Sequence, residues 1–410
     1  MEIDKNILLN ESKVFCMFPW LHLNVTPKGD IYPCCSNSYS SPFGNTKDTT
    51  LKEAFNSEKM KELRLNMLSG KQSKICEFCY KHEQAGPHSF RTYSKEHFSK
   101  YFDEVVTATN PDGSVDDFKM RYFDIRFSNI CNFKCRTCGA EFSSQWAKEN
   151  QIHNKNHPII FHADDNRGDL LEEVLTHVDH IDLAYFAGGE PLITDEHYLM
   201  LEEMIRKGKT DIVLRYNTNA SNIKYKNYDI LDLWKRFKKI ELSCSIDHYG
   251  TRAEWLRHGT DWGKVESNLL LFRDLEYVSF QINTVFSIFN YLTLGEFYDY
   301  LKSKSIFREN DWHHSLYLAV HPSYYSAKSM PKEIKSEARD KIKKFISDNT
   351  ETYSLLGRLT TNAMNFADET DTWKDNKEVF FLHTRSIDRI RGEDFYKVFP
   401  ELAKLNSLDE

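Results

Sequence analysis

The sequence predicts an α/β protein in which a parallel sheet forms a partial barrel, with a small cysteine-rich domain before it and a helical segment after it. From about residue 118, six strand-like runs alternate with six helix-like runs, and such βα repeats form parallel sheets with right-handed crossovers. Because about eight repeats close a full barrel, six predict a partial one. Five of the nine cysteines lie in residues 1–95, which sets the N-terminal region apart from the barrel.

The composition is that of a folded protein with more than one domain. A chain of 410 residues suggests two or three domains at roughly 150 residues each. The hydrophobic fraction of 40% and the charged fraction of 28% are typical of globular proteins. The formal net charge of -7 argues against a nucleic-acid-binding surface over the whole protein, because such a surface needs excess basic residues.

The sequence shows no signal for membranes or secretion. No run of apolar residues approaches the roughly 18 that a membrane-spanning helix needs. The N-terminal residues MEIDKNILLNESK lack the basic and apolar regions of a signal peptide. We therefore expect a cytoplasmic protein without a membrane partner. In that compartment, clustered cysteines more often serve metal or redox chemistry than disulfides.

Residues 1–95 predict a hairpin and one amphipathic helix. Two short strands joined by a turn are expected between residues 21 and 32. The helix is expected from about Leu51 to Leu68, with Thr50 as its N-terminal cap. The polar residues 96–117 are expected to form a linker or a loop.

The barrel elements are expected in strict alternation from residue 118. The predicted strands are Tyr122–Phe127, His180–Phe186, Ile212–Tyr216, Ile240–Ile246, Val278–Phe286 and Leu316–Val320. The helices are expected near 141–150, 168–177, 195–207, 228–236, 261–274 and 293–303. We divide the chain into a cysteine-rich domain at 1–95, a linker at 96–117, the partial barrel at 118–330 and a mostly helical extension at 331–410.

The cysteine motif that directly follows the first barrel strand is the strongest chemical signal. Cys131, Cys135 and Cys138 have the spacing C-x3-C-x2-C. Iron–sulfur clusters are normally held by four thiolates, so three thiolates would leave one iron of a cubic cluster open to a small molecule. The alternatives are a zinc site, which usually needs four closed ligands, and ordinary buried cysteines.

A glycine-rich loop follows the second predicted strand. Its residues are Gly188, Gly189, Glu190 and Pro191. Two glycines let the backbone approach a ligand closely, and Glu190 offers a carboxylate to a positively charged amino group. The alternative is a plain glycine turn with Glu190 near a helix start.

Together, these two motifs resemble the radical S-adenosylmethionine (SAM) superfamily over about residues 118–325. The resemblance implies a partial (β/α)6 barrel of the radical SAM type and a [4Fe–4S] cluster on the three cysteines. It also implies that the amino and carboxylate groups of SAM bind the open iron. The Gly188–Pro191 loop would hold the amino group.

Two further stretches resemble SAM contacts of this family. Asn217 and Asn219 follow the third strand and resemble its ribose-contact stretch. Ser245 and Arg257 resemble the serine and arginine that contact the carboxylate and ribose in peptide-modifying members. An arginine can grip a carboxylate with two parallel donors, although a surface helix charge is the plain alternative for Arg257.

The N-terminal cysteines predict a second metal site. Cys16, Cys34, Cys76 and Cys79 resemble the ligands of a SPASM/twitch auxiliary domain, which implies an auxiliary [4Fe–4S] cluster. In most relatives that domain follows the barrel, so the arrangement resembles the N-terminal-twitch radical SAM proteins. The Arg391–Leu402 tail resembles that group as well. A structural zinc site is the alternative. Cys35 is either a bystander or the ligand in place of Cys34.

The resemblance implies a radical SAM enzyme. A reductant such as flavodoxin or ferredoxin would supply one electron, SAM would be cleaved to methionine and a 5′-deoxyadenosyl radical, and the radical would abstract hydrogen from a peptide or protein residue. Two alternatives remain: oxidation of a small molecule such as a sugar alcohol, and a non-catalytic iron–sulfur or zinc scaffold. Three histidines near the sixth strand, His313, His314 and His321, could act as acid or base near neutral pH, although ordinary loop or core histidines are more common.

Overall fold

The computed structural model describes residues 3–37, 39–85, 88–164, 167–307, 313–349 and 354–406. Its strands are β1 (His22–Val25), β2 (Asp30–Tyr32), β3 (Gly44–Asn45), β4 (Tyr122–Ile125), β5 (Lys134–Cys135), β6 (Leu183–Phe186), β7 (Val213–Thr218), β8 (Lys224–Tyr225), β9 (Tyr228–Asp229), β10 (Lys239–Ser245), β11 (Arg257–His258), β12 (Val278–Phe286) and β13 (His314–Leu318). Its α-helices are α1 (Leu51–Phe55), α2 (Glu58–Leu68), α3 (Glu77–Ala85), α4 (Phe90–Phe98), α5 (Phe102–Val105), α6 (Ser144–Asn150), α7 (Leu170–Thr176), α8 (Asp195–Arg206), α9 (Ile230–Trp234), α10 (Gly250–Leu256), α11 (Trp262–Asp274), α12 (Leu294–Ser303), α13 (Lys332–Asp348), α14 (Ser354–Asp368), α15 (Trp373–Arg391) and α16 (Phe395–Val398).

The chain forms two compact units, each built from discontinuous stretches. The first comprises the described residues of 1–130, 156–215 and 230–239. The second comprises the described residues of 131–155, 216–229 and 240–410. Each unit therefore contains part of the predicted barrel. The functional domain boundaries drawn from the sequence stay a prediction.

The first unit joins the N-terminal hairpin to barrel strands. Strand β1 lies antiparallel to β2 and parallel to β4, with His22 opposite Tyr122. Strand β4 in turn lies parallel to β6. All four residues of β4 are buried, as expected for a parallel strand covered on both faces. The ring of Phe18 lies 5.1 Å from that of Phe90 and 5.4 Å from that of Tyr122, so aromatic packing forms much of this core.

The second unit contains three parallel strands and the C-terminal helices. Strands β10, β12 and β13 pair in that order, all parallel. Strands β5 and β11 form a separate two-residue antiparallel ladder. The ring of Phe289 lies 5.9 Å from that of Phe380 and 5.8 Å from that of Phe399, so the C-terminal region packs onto barrel elements of the same unit.

The fold class predicted from the sequence is confirmed. Each of the six predicted barrel strands overlaps an observed strand, and β12 has the predicted bounds. Each predicted helix between them is also present. The region after residue 331 is helical over α13 to α16. Hydrophobic periodicity was sufficient here because the elements are long and strongly patterned.

The single helix predicted over 51–68 is wrong, because two helices occupy that stretch. Thr50 caps α1, and Ser57 starts α2 by accepting a hydrogen bond from the backbone N of Met60. The break between them is held from outside. The side chain of Asn56 exchanges hydrogen bonds with the backbone of Val115 at 2.8 and 3.0 Å. A tertiary contact therefore overrides local helix propensity.

The segment 96–117 is more ordered than a linker. It contains the end of α4 and the whole of α5. Phe98, Phe102 and Val106 are buried within it. Its polar composition concealed these apolar anchors, which attach the segment to the first unit. None of the helices in the described ranges combines the length and the apolar character that crossing a membrane requires.

Candidate functional site

The four N-terminal cysteines come together in the first unit. Cys16 precedes β1, Cys34 follows β2, and Cys79 lies in α3, just after Cys76. The thiol of Cys34 interacts electrostatically with that of its neighbour Cys35 and with those of Cys16, Cys76 and Cys79. Cys76 likewise interacts with Cys16 and Cys79. The fold thus collects thiols from three separate stretches of sequence into one group, which we call the N-terminal cysteine group.

Burial keeps these thiols protonated in the absence of a metal. It raises the pKa of Cys16 to about 11. It also raises the pKa of Cys34, Cys76 and Cys79 above the ordinary thiol value. A bound metal must supply the free energy that deprotonates its thiolate ligands. Four thiols that interact with one another, with Cys16 and Cys79 buried and Cys34 and Cys76 half-buried, are therefore a donor set that fits an iron–sulfur cluster.

Cys35 points to a different environment. Its largest charge interactions are with Asp124 and Arg126, on and just after β4, and its thiol hydrogen-bonds to Asp124. Burial and the Asp124 carboxylate raise the pKa of the Cys35 thiol. Cys34 therefore lies among the other N-terminal cysteines, whereas the main charge interactions of Cys35 are with Asp124 and Arg126.

The alternative of a zinc site depends on how closely the possible ligands approach one another. Among the described residues, no three His, Cys, Asp or Glu side chains lie close enough together to hold one metal ion. A structural zinc site needs four ligands on a single ion, whereas the thiolates of a [4Fe–4S] cluster each bind a separate iron.

The Gly188–Pro191 loop is fixed against the chain that leads into the first barrel cysteine. The backbone N of Glu190 donates to the carbonyl O of Ile130 at 2.8 Å. A Cβ atom at Gly189 would lie 2.1 Å from that oxygen, so only glycine fits. Gly188 has a φ of +127°, in the region that favours glycine. These contacts explain both glycines by close backbone approach.

Glu190 is a buried carboxylate at the start of a short turn. Its side chain is 1% exposed, and it accepts a hydrogen bond from the backbone N of Leu192 at 3.2 Å. Burial of a carboxylate is costly unless it is hydrogen-bonded or paired. Glu190 therefore does stabilise the start of a short turn, as the alternative interpretation held. Its contact with the amino group of SAM stays a prediction.

The three barrel cysteines lie on a loop of the second unit. Arg257 lies opposite Cys135 in the β5–β11 ladder. Its Nη1 is 3.8 Å from the Cys135 Sγ, and its Nε is 2.9 Å from Asp247 Oδ2. Burial lowers the pKa of Arg257, but Asp247 and Cys135 raise it more, so the guanidinium stays charged. Arg257 is not the exposed surface charge that was its plain alternative.

Burial also dominates the thiols of this loop. It raises the pKa of Cys138 to about 12, and the Arg257 charge offsets only part of this. The pKa of Cys135 is raised as well, with the same opposing influence. Two half-buried cysteines beside a fixed guanidinium fit a cluster that binds thiolates and a carboxylate-bearing cofactor.

The stretch after β7 holds the cysteine loop by side-chain amides. Asn219 donates through Nδ2 to Asn132 Oδ1 at 2.8 Å, and Asn132 donates to Ser221 Oγ at 2.9 Å. Asn132 lies between Cys131 and Cys135 in the motif. Asn219 thus supports the loop directly, while its predicted contact with ribose stays a prediction.

The remaining predicted residues occupy varied positions. Ser245 ends β10 opposite Asn283, and Asn217 is half-buried in β7. Cys244 is fully buried in β10, as expected for a small core side chain.

Of the three histidines, His313 and His321 are exposed and His314 is buried. The His314 ring is hydrogen-bonded to Thr284 at 2.9 Å and to Tyr298 at 3.2 Å. Burial lowers its pKa to about 3. A ring held in this way has a structural role in the core.

Several residues at the site were not singled out from the sequence. Asp124 is fully buried, with Arg126 Nε 3.4 Å from its Oδ1. Asp247 holds Arg257 and also accepts from the backbone N of Val285 at 2.8 Å. The sequence signal that could have indicated them is a charged residue within or directly after an apolar strand. Asp124 and Arg126 alternate within an apolar strand, and Asp247 follows directly after another.

Comparison with protein families gives two matches. A model of the radical SAM superfamily matches residues 125–301, which include the three barrel cysteines and the Gly188–Pro191 loop. A model of the SPASM iron–sulfur cluster-binding domain matches residues 16–80, which include the N-terminal cysteine group. A comparison with curated proteins found no significant match.

Solved structures give more distant likenesses. One is anSMEcpe with bound AdoMet and the Cp18Cys peptide, at 20% identity and a TM-score of 0.38, covering 58% of this chain and 60% of that one. Another is Streptococcus suis SuiB bound to S-adenosylmethionine, at 15% identity and a TM-score of 0.38, covering 71% of this chain and 63% of that one. The chain thus spans less than two thirds of the length of these two structures.

The family matches agree with the sites described above. A radical SAM domain and a SPASM domain imply [4Fe–4S] clusters and SAM as cofactors. The thiols, the close-packed glycine loop and the fixed Arg257 are residues that fit those groups. Residues 125–301 therefore form a radical SAM domain, and a SPASM iron–sulfur domain at residues 16–80 precedes it.

Proposed function

We propose that this protein uses SAM and two [4Fe–4S] clusters to abstract hydrogen from a residue of a peptide or protein. The observation that carries the SAM-dependent part is the Arg257 guanidinium, which lies 3.8 Å from Cys135 Sγ and is held there by Asp247. A fixed cation at this distance from a cluster ligand suits an anionic group of a cofactor bound at the same cluster.

The cysteine loop would hold the first cluster. Cys131, Cys135 and Cys138 would bind three irons and leave the fourth open. When bound, this cluster and SAM supply reductive cleavage of a carbon–sulfur bond and a carbon radical that can abstract hydrogen. A cofactor performs the difficult chemistry, and the protein binds, orients and shields it.

The protein's own groups would bind and orient SAM. Arg257 would bind its carboxylate, and Ser245 would add a hydroxyl contact at the end of β10. Asn217 and Asn219 would contact the ribose. The Gly188–Pro191 backbone and the Glu190 carboxylate would hold the amino group, with their geometry fixed by the contact to Ile130.

The N-terminal cysteine group would hold the auxiliary cluster. Its proposed ligands are Cys16, Cys34, Cys76 and Cys79, within a domain that we place at 1–95. Four thiolates complete the coordination of such a cluster. Its role would be to accept the electron left on the substrate or to position the substrate. A flavodoxin or ferredoxin would supply the electron that starts the reaction.

The peptide substrate rests on two features. The chain has an auxiliary domain, and its Ser245 and Arg257 follow the pattern of peptide-modifying members. A small-molecule substrate such as a sugar alcohol fits a single auxiliary cluster equally well, so the assay must contain both substrate classes.

The test is anaerobic reconstitution followed by a SAM-cleavage assay with dithionite. The wild-type protein should bind about eight irons per chain, one set of four per cluster, and should release 5′-deoxyadenosine. Cys135→Ala should abolish that release. Cys244→Ala, which alters a buried cysteine of the same unit outside the motif, should leave it unchanged.

The outcomes separate the alternatives. Unchanged SAM cleavage in Cys135→Ala would refute the cluster assignment. No cleavage by the wild-type protein would favour the non-catalytic scaffold. Faster 5′-deoxyadenosine release with precursor peptides than with sugar alcohols supports the peptide proposal, and the reverse order overturns it.

A further inference from the structure

Arg136, which lies between Cys135 and Cys138, has its partners at the far end of the chain. Its side chain is fully buried. Its Nη2 pairs with Asp388 at 2.5 Å and also with Glu393. These carboxylates lie 252 and 257 residues away in sequence. The loop that carries the cysteines is therefore joined to the end of α15.

An aromatic ring completes the contact around Arg136. The guanidinium carbon lies 3.6 Å from the centroid of a ring of Trp255. Trp255 in turn donates through Nε1 to Asp388 Oδ1 at 2.9 Å. One carboxylate thus fixes both the cation and the ring on which it stacks. This arrangement leaves the guanidinium little freedom to move.

A second pair of cations binds the same end of α15 to the loop. Lys134, beside Cys135, pairs with Glu149, and Arg391 Nη2 is 2.8 Å from Glu149 Oε1. The Arg391 guanidinium also lies 4.7 Å from the ring of Trp146. Trp146 donates through Nε1 to the carbonyl O of Cys135 at 2.6 Å. The ring thus connects α15 to the backbone of a cysteine itself.

A third contact reaches the strand that carries Arg257. The Nδ1 of His258 is 2.5 Å from Glu393 Oε1. His258 lies opposite Lys134 in the β5–β11 ladder, and Arg257 lies opposite Cys135. Glu393 therefore contacts both sides of the ladder, through Arg136 and through His258.

The ion pairs between the cysteine loop and the end of α15 contain equal numbers of positive and negative side chains. Three cations, Lys134, Arg136 and Arg391, face three carboxylates, Glu149, Asp388 and Glu393. Buried ion pairs add little net stability, but removing one partner leaves an uncompensated buried charge. Such a network favours one position of the loop over others. The network therefore fixes the position of the cysteine loop more than it stabilises the fold. A fixed position matters most where a cofactor binds.

We propose that Asp388, Arg391 and Glu393 form a clamp at the end of α15 that positions the cysteine loop for its cluster, with Arg136 as the positioning residue on the loop. The proposal rests on the proposed function, because it concerns the same cluster. The partners around a metal centre orient its ligands, and their loss typically weakens metal binding or activity by about 10- to 100-fold.

The test compares the clamp with a second ion pair in the same C-terminal segment. The test variant is the double substitution Asp388→Asn with Glu393→Gln, which keeps shape and removes charge. The control is Glu401→Gln, since Glu401 pairs with Arg252 Nη2 at 2.9 Å. Full-length proteins are reconstituted anaerobically with iron and sulfide. The measurements are the rate of iron release to a chelator and the electron paramagnetic resonance spectrum with and without SAM.

The double variant should release about half of its iron at least about tenfold faster than wild type. Its spectral change on adding SAM should also differ from that of wild type. Glu401→Gln should match wild type in both measurements. Iron release and spectra equal to wild type in the double variant would overturn the clamp, as would equal effects in both variants.

Two further variants guard against unfolding. Glu393→Gln alone keeps Asp388 on Arg136, and it should show a smaller change in the same direction if the double variant does not fold. Glu393→Asp, which keeps the charge, should restore much of the wild-type spectrum. A wild-type protein that shows no spectral change with SAM would refute the proposed function and the clamp with it. A wild-type change shared by the double variant would refute the clamp alone.

Discussion

The two groups of cysteines differ in how their thiols are brought together, although both are proposed to hold iron–sulfur clusters. Cys131, Cys135 and Cys138 lie within eight residues of one loop, and the N-terminal cysteine group is drawn from residues 16 to 79. The loop is surrounded by paired charges from the end of α15. The N-terminal group lies on elements packed around aromatic side chains such as Phe18 and Phe90. Local spacing therefore defines one site, and a folded core assembles the other.

The two groups of cysteines should also differ in how they respond to amino-acid substitutions. A short motif keeps its thiols close together whatever the distant chain does, but it needs outside contacts to fix its orientation. A group collected from three stretches depends on the fold for its existence. Substitutions in the first region should therefore alter geometry and chemistry, whereas substitutions in the second should alter whether a cluster is held at all.

The largest expected effect separates Cys76 from Cys35. Cys76→Ala should lower the iron content from about eight to about four per chain, because one ligand of the auxiliary cluster is lost. Cys35→Ala should leave about eight, because its thiol faces Asp124 instead. Iron and zinc are counted in the anaerobically reconstituted proteins.

Cys34→Ala provides the matched comparison, since its thiol is next in sequence to that of Cys35. It should behave like Cys76→Ala. Loss of iron in Cys35→Ala with none in Cys34→Ala would reverse the assignment of the two residues. A loss of zinc in Cys76→Ala would instead support a structural zinc site.

A smaller effect contrasts a glycine fixed by packing with one in the cysteine loop. A Cβ at Gly189 would lie 2.1 Å from the Ile130 carbonyl O, whereas at Gly139 it meets no described atom within 4 Å. Gly189→Ala should lower the free energy of unfolding by about 3 kcal/mol through overpacking. Gly139→Ala should change it by less than about 0.5 kcal/mol. Urea unfolding of the two proteins measures both, and equal stability would contradict the close approach.

The smallest effect contrasts two neighbouring histidines. Burial lowers the pKa of His314 to about 3, below the ordinary value near 6.5, so the unfolded chain takes up the proton first as the pH falls. This single residue should cost about 2 kcal/mol of stability between about pH 7.5 and about pH 5. His314→Gln should remove that part of the pH dependence, as measured by urea unfolding at the two pH values.

His313→Gln is the matched control, because His313 is exposed. It should leave the pH dependence between the two values almost unchanged. His248 is also buried, with its pKa lowered to about 3, so part of the acid sensitivity should persist in both variants. An unchanged pH dependence in His314→Gln would contradict a buried, neutral His314.

Prediction from the sequence succeeded where the signal is local. The β12 strand has the predicted bounds because its nine residues carry a strong β pattern. It failed over 51–68, where the helix break depends on hydrogen bonds from Asn56 to Val115, 59 residues away. It also missed Asp124 and Arg126, since a charged pair at the end of a strand becomes meaningful only when its surroundings are known.

The sequence by itself determined the radical SAM and SPASM domains, the cysteine and glycine motifs and the order of strands and helices, because these depend on residues close together in the chain. Only the tertiary structure shows that Cys34 interacts with Cys16, Cys76 and Cys79 while Cys35 is hydrogen-bonded to Asp124, and that Arg136 pairs with Asp388 and Glu393. Neighbouring side chains in these elements point in different directions, and their partners come from distant segments. Spacing along the chain carries no information on either point.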